Sequence, residues 1–157
     1  MVSTPSPKEA DVNIDMERSF PVSRETLWRV LHDTESMVNF IPGCERLEAI
    51  GPDRYAATLT VGVAAVKGTY NGVVQIKEKD FPASYTLEIE GRAAPGFMQG
   101  TAKLDLSETS DSQTLLSVKG QAQVGGLIAS VGQRLLTGVA RQLTRQMFDN
   151  IERELAR

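Results

Sequence analysis

The stretch Gln121-Ala122-Gln123-Val124-Gly125-Gly126-Leu127-Ile128-Ala129-Ser130-Val131-Gly132-Gln133-Arg134 changes periodicity in its middle, and that change decides the fold. Before Gly125 apolar and polar residues alternate, and the pattern extends back through Gly120, Val118, Leu116 and Thr114. Period 2 marks a strand with one buried and one wet face. After Gly126 the apolar residues fall at Ile128, Val131, Leu135, Val139, Leu143, Met147, Ile151 and Leu155. Spacings of three and four predict one long amphipathic helix from Leu127 to Ala156, about 45 Å in length. Its far face carries Gln133, Arg134, Arg141, Gln142, Arg145, Asp149 and Arg153. Gly132 and Gly138 fall inside it, where each is about 1 kcal/mol worse than Ala. They predict a kink or a close approach.

Upstream, period 2 dominates. Tyr55, Ala57, Leu59 and Val61 form one set. Gly68, Tyr70, Gly72, Val74 and Ile76 form the next, then Tyr85, Leu87 and Ile89, then Met98, Gly100, Ala102, Leu104 and Leu106. Turn signals separate the sets at Gly51-Pro52-Asp53, Phe81-Pro82-Ala83, Ala94-Pro95-Gly96 and Ser110-Asp111-Ser112. Short connections imply an antiparallel meander with one apolar face. Glycines at 72, 100 and 120 would permit sharp bends in such long strands. A first strand is expected over Asp11–Phe20 from Val12, Ile14 and Met16. A short helix follows, capped by Ser23 and carrying Leu27, Trp28, Val30 and Leu31. A second short helix, capped by Thr34, runs through Val38 and Phe40 and is broken by Pro42-Gly43.

The order is therefore one strand, two short helices, about six antiparallel strands and a long terminal helix: an α+β domain of about seven strands. A curved sheet cannot touch a straight helix along its whole length, so an apolar pocket is expected between them. Residues 1–10, with Pro5 and Pro7 among small polar residues, read as a disordered leader, and 11–157 as a single domain.

Composition narrows the chemistry. The 157 residues include one His, one Cys and one Trp, with a formal charge of −3. One Cys excludes an internal disulfide framework, and one His excludes an all-histidine metal centre within the chain. No metal or cofactor site is expected. Mild acidity argues against nucleic-acid binding. No apolar run reaches the roughly 20 residues of a membrane span, and no signal peptide opens the chain, so a cytoplasmic protein is expected. His32 beside Asp33 points away from it on a helix and reads as a helix-terminal His. Cys44 lacks an obvious base and reads as an inert thiol.

Four blocks carry a resemblance. They are Phe40-Ile41-Pro42-Gly43-Cys44-Glu45, Val66-Lys67-Gly68-Thr69-Tyr70-Asn71-Gly72, Gly96-Phe97-Met98-Gln99-Gly100 and the opening stretch 121–134. In this order the chain resembles the carbon monoxide dehydrogenase CoxG family from about Met16 to Phe148. The resemblance implies the helix-grip, START-like (SRPBCC) fold, shared by lipid-binding domains and aromatic polyketide cyclases. It implies a non-catalytic accessory to a molybdenum hydroxylase, linked to its membrane recruitment and to carriage of a lipophilic quinone. Some relatives carry a hydrophobic C-terminal anchor. This sequence ends at Arg157 without one, which favours a soluble carrier or peripheral docking at the inner face of the membrane.

The expected ligand pocket is lined from the sheet by Leu59, Val61, Tyr70, Val74, Leu87, Ile89, Met98 and Leu116. From the helix it is lined by Ile128, Val131, Leu135, Val139 and Leu143. Each would serve equally well in a solid core. Phe40 and Ile41 would form a lid or portal loop, or simply a buried helix stop. Arg134, Arg141 and Arg145 share one helical stripe. Residues 125–157 hold five Arg against three acids, whereas residues 1–124 hold 12 basic against 17 acidic residues. The stripe could meet an anionic membrane or an acidic partner, or be a solvated face. The competing functions are a cyclase- or hydrolase-like enzyme of the same fold, and a recruitment factor that needs no ligand. Inward positions offer almost no polar groups beyond Tyr55, Tyr70 and Tyr85, and no activated base, which weighs against catalysis.

Overall fold

A computed structural model describes residues 9–63, 66–94 and 96–157. Strand β1 (Glu9–Phe20) is followed by helices α1 (Arg24–His32) and α2 (Thr34–Phe40). Six strands follow: β2 (Cys44–Gly51), β3 (Arg54–Val61), β4 (Gly68–Asp80), β5 (Ser84–Ala93), β6 (Gly96–Ser110) and β7 (Gln113–Gly125). A 3-10 turn (Leu127–Val131) leads into α3 (Gln133–Leu155). The expected leader lies outside the described residues as far as residue 8. Glu9 and Ala10 already pair with Gly125 and Val124, so β1 starts two residues before the expected Asp11.

The seven strands form one antiparallel sheet in the order β1-β7-β6-β5-β4-β3-β2. Strands β2 to β7 are a meander, and β1 joins it beside the last strand, with Phe20 opposite Thr114. Strand β2 is an edge strand with mostly exposed side chains. With only Cys44 and Leu47 partly buried, it has no apolar alternation for sequence reading to find. Register places Val12, Ala122, Gly100, Ile89, Val74 and Tyr55 on one rung across six strands. Directly paired residues point to the same side, so this rung defines the inner face. A Cβ at Gly72 would lie 2.6 Å from the Glu90 carbonyl oxygen, and one at Gly100 2.6 Å from that of Gln121. Those glycines permit close approach of neighbouring strands.

Both short helices are capped by side chains. The Ser23 hydroxyl accepts from the Thr26 N–H at 3.2 Å. Asp33, not Thr34, caps α2: its carboxylate accepts from the Ser36 N–H at 3.1 Å and the Ser36 hydroxyl at 2.9 Å. An acidic cap also suits the positive end of the helix dipole.

The expected single terminal helix is broken. Gly132 has φ +99°, outside the helical region, and separates the 3-10 turn from α3. The break shifts the helical phase. Leu136, Val139, Phe148 and Ile151 are buried, whereas Leu135 is 45% exposed. Gly138 does lie within α3, but no neighbouring atom comes within 4 Å of a Cβ there, so it marks no close approach.

The buried residues form two clusters. The larger joins Phe20, Leu27, Trp28, Leu31, Phe40, Leu116 and neighbours to Phe148 and Ile151 at the C-terminal half of α3. Within it Phe20 meets Phe148 edge to face, with centroids 6.2 Å apart. Each such side chain contributes roughly 1.5–3 kcal/mol by leaving water. The second joins Val12, Val66, Val124, Ile128, Leu136 and Val139 at the N-terminal half of α3. Helix α3 runs closest to β1, α1, α2 and the 3-10 turn, and its buried side chains join strand residues in both clusters.

Candidate functional site

Register brings all eight sheet positions expected to line a pocket, from Leu59 to Leu116, onto the inner face. They are not equivalent there. Leu116 is fully buried in the larger cluster, and Leu87 packs against it. Val61, Tyr70 and Met98 pack against the second cluster, as do Val131 and Leu143 from the helical side, where Ile128 and Val139 are buried. Leu59, Val74 and Ile89 belong to neither cluster and stay half-buried. They form a strip of inner face on β3, β4 and β5 between the two clusters. Leu135 does not line this face. The restart of the helix at Gln133 turns it outward and places Leu136 inward.

The segment Phe40–Gly43 divides in two. Phe40 is buried in the larger cluster and its carbonyl accepts from Asn150 Nδ2 at 3.3 Å, while Ile41 packs beside it. Pro42 and Gly43 instead line a depression of about 390 Å³ with Thr60, Val61, Gly62 and Val63 of the β3 end, and Gln142, Leu143 and Gln146 of α3. Gly43 has φ +72°, and its carbonyl accepts from the Thr60 N–H at 2.9 Å, which pins the segment to β3. The Tyr70 hydroxyl donates to the Val66 carbonyl at 2.7 Å and ties Val66 to β4. Thr60, Gln142 and Gln146 were not legible as site residues. Strand periodicity assigns a face, but it does not say which strand end meets which turn of the helix.

A concavity of about 520 Å³ lies on the opposite face of the sheet. It is polar, lined by outward side chains such as Asn13, Gln75, Glu88, Gln99, Gln121 and Gln123. Arg134, Arg141 and Arg145 are exposed along α3, and among the described residues no ion pair holds them.

The reactive groups are few. Burial pushes the Cys44 thiol up, only partly offset by its bond to the Arg46 carbonyl. Burial also raises the Tyr70 hydroxyl, and that of Tyr85 much further. Such phenols are weak acids near neutrality. His32 stacks on Trp28 at 4.2 Å and meets Tyr85 edge-on at 4.5 Å. Its Nδ1 bonds the Trp28 carbonyl at 2.8 Å, so Nδ1 carries the proton, while the buried Nε2 has no partner. Burial is the chief reason its pKa is lowered. Among the described residues no three His, Cys, Asp or Glu side chains come together to hold a metal ion. No helix among them is long and apolar enough to cross a membrane.

A curled antiparallel sheet with two short helices after its first strand and a long C-terminal helix defines the START-like, helix-grip class. Solved structures agree. A START superfamily protein from Mycobacterium smegmatis superposes with TM-score 0.73 at 10% identity, covering 90% of this chain and 95% of that one. The ZhuI aromatase/cyclase from Streptomyces sp. R1128 does so with TM-score 0.66 at 14% identity, covering 92% and 93%. A conserved protein from Geobacillus kaustophilus is nearer, with TM-score 0.90 and 36% identity over 92% of this chain and 95% of that one. Residues 18–156 match the model of the carbon monoxide dehydrogenase subunit CoxG, and the chain belongs to that family. No curated protein matches.

Proposed function

We propose that the protein is a carrier that holds a lipophilic small molecule, quinone- or lipid-like, against the inner face of β3, β4 and β5. In this reading it is not an enzyme. It serves a molybdenum hydroxylase of the carbon monoxide dehydrogenase type, as the family description suggests. The observation that carries the reading is the half-buried apolar strip Leu59, Val74 and Ile89, left on the inner face between two core clusters. Apolar side chains left half-wet inside a fold represent unused burial of about 25 cal/mol per Å², which an apolar ligand would recover. Among the described residues no proton donor and base face one another there, which supports carriage over turnover. The fold itself is neutral on that question, since one of its solved members is an aromatase/cyclase.

The test is organic extraction of the purified full chain followed by mass spectrometry, together with titration by a neutral hydrophobic dye. Stoichiometric lipophile or saturable dye binding is expected. An empty extract with no saturable binding overturns the reading. A second role, peripheral contact with an anionic membrane, is favoured by the exposed Arg134, Arg141 and Arg145, with Leu127 75% exposed at the same end as Arg134. Vesicle co-sedimentation that weakens with salt would support it, and absence of binding at low salt would remove it.

A further inference from the structure

We propose that the depression beside Pro42 and Gly43 is the entrance to the inner face, and that it selects an uncharged amphiphile whose neutral polar head rests on the amides of Gln142 and Gln146. The inference deepens the carrier reading and rests on it. Its first support is the layering of the depression. Gln142 and Gln146 are four residues apart on α3, so they present two amides side by side at its rim. Thr60 completes that polar rim. Beneath it Val61, Val63 and Leu143 pack into the second cluster and form an apolar throat.

The second support is charge. Among the described residues no Lys, Arg, Asp or Glu lines the depression. On the inward positions of β1 the one charged residue, Arg18, is held by Asp149 and Glu152 and lies over the Phe148 ring at 5.3 Å. The paired inward positions of β3, β4 and β5, from Tyr55 to Leu59, Tyr70 to Ile76 and Tyr85 to Gly91, carry none. Arg141 and Arg145 sit on the adjacent, solvent-facing side of α3 and are not part of the lining. A carboxylate or phosphate head in the throat would lose water without gaining a cation. A carbonyl or hydroxyl head finds amide donors and acceptors at the rim. The third support is access. Gly62 is exposed, and among the described residues no atom lies within 4 Å of a Cβ built there, so the entrance can be narrowed without disturbing the described backbone.

The test is displacement of Nile red from the full-length chain by hexadecan-1-ol and by hexadecanoate, at pH ~8, where the carboxylate is ionised. The alcohol should displace the dye at least about tenfold more effectively, the factor that corresponds to about 1.4 kcal/mol. Gln142→Lys combined with Gln146→Lys should move the preference toward hexadecanoate. Gly62→Trp should slow dye loading about tenfold or more while leaving the urea midpoint unchanged. Equal displacement by alcohol and acid overturns the selectivity. Unchanged loading of a folded Gly62→Trp variant overturns the entrance. In both cases the wild type still binds dye, so the carrier reading survives. Failure of the wild type to bind dye removes that reading and the present inference together.

Discussion

Replacing Gly43 by alanine should destabilise the protein by about 1.5–3.5 kcal/mol. Two effects add. With φ at +72°, Gly43 is in the left-handed region, which costs an L-residue roughly 1–2 kcal/mol. The new Cβ would also be placed 2.2 Å from the Thr60 carbonyl oxygen. That oxygen belongs to a β3 strand paired with β4 and cannot yield cheaply, so the Gly43 segment must move instead. Moving it breaks the 2.9 Å bond from the Thr60 N–H to the Gly43 carbonyl, worth about 0.5–1.5 kcal/mol. Gly138→Ala supplies the opposite case. It lies in α3 with nothing within 4 Å of its Cβ and an ordinary helical φ. There alanine should stabilise by about 1 kcal/mol through helix propensity and a less free unfolded chain. Urea unfolding of both variants at one pH, with m-values compared, measures the two signs directly. If Gly43→Ala falls within about 0.5 kcal/mol of wild type, or shifts the midpoint in the same direction as Gly138→Ala, then the close contact between Gly43 and β3 is wrong and the entrance has a different shape.

Three further outcomes are expected. Leu136→Ala, at a site 6% exposed, should cost about 2–5 kcal/mol, whereas Leu135→Ala, at a site 45% exposed, should cost well under half of that; equal losses by urea titration would mean α3 is in a different phase. Phe148→Ala should cost about 3–5 kcal/mol, because Phe148 is 1% exposed and packs edge-on against Phe20, and calorimetry would register the fall in Tm. His32 is held neutral, its pKa lowered by burial below 6.5. Once pH drops below 6.5 the unfolded chain binds a proton that the native one refuses, so stability is full above 6.5 and declines toward the lowered native value. Lys79, which lowers the pKa, and Asp53, which raises it, are the charged groups nearest this balance. Urea midpoints measured from pH ~7 down to pH ~5, above the carboxylate range, should show this slope in the wild type and lose it in His32→Phe.

Much of the architecture was legible in the sequence. Period 2 from Tyr55 to Val124 announced the meander and its inner face, because half-buried antiparallel strands must alternate. Ser23 announced its helix because its hydroxyl is the natural acceptor for a free N–H of the first turn. The edge strand β2 was not legible, since only Cys44 and Leu47 of Cys44–Gly51 are even partly buried. The phase of α3 was misread at Leu135. The run Ile128, Val131, Leu135 has helical spacing on both sides of Gly132, and nothing in that spacing reports the φ of +99° that interrupts it.

The sequence by itself determined which residues share a face of the sheet and how few of them could do acid–base chemistry, because side-chain alternation and composition are local properties. Only the tertiary structure decided how that apolar face is used. Leu116 is sealed into a core, while Leu59, Val74 and Ile89, equally apolar and equally inward, remain half-wet. The physical reason is the placement of one straight helix. Helix α3 lies against β1 and the short helices, whose contacts are made by residues more than 100 positions away in the chain, such as Phe40 with Asn150. Between α3 and the end of β3 lies the depression at Gly43, Gly62, Gln142 and Gln146, assembled from three segments that no periodicity connects.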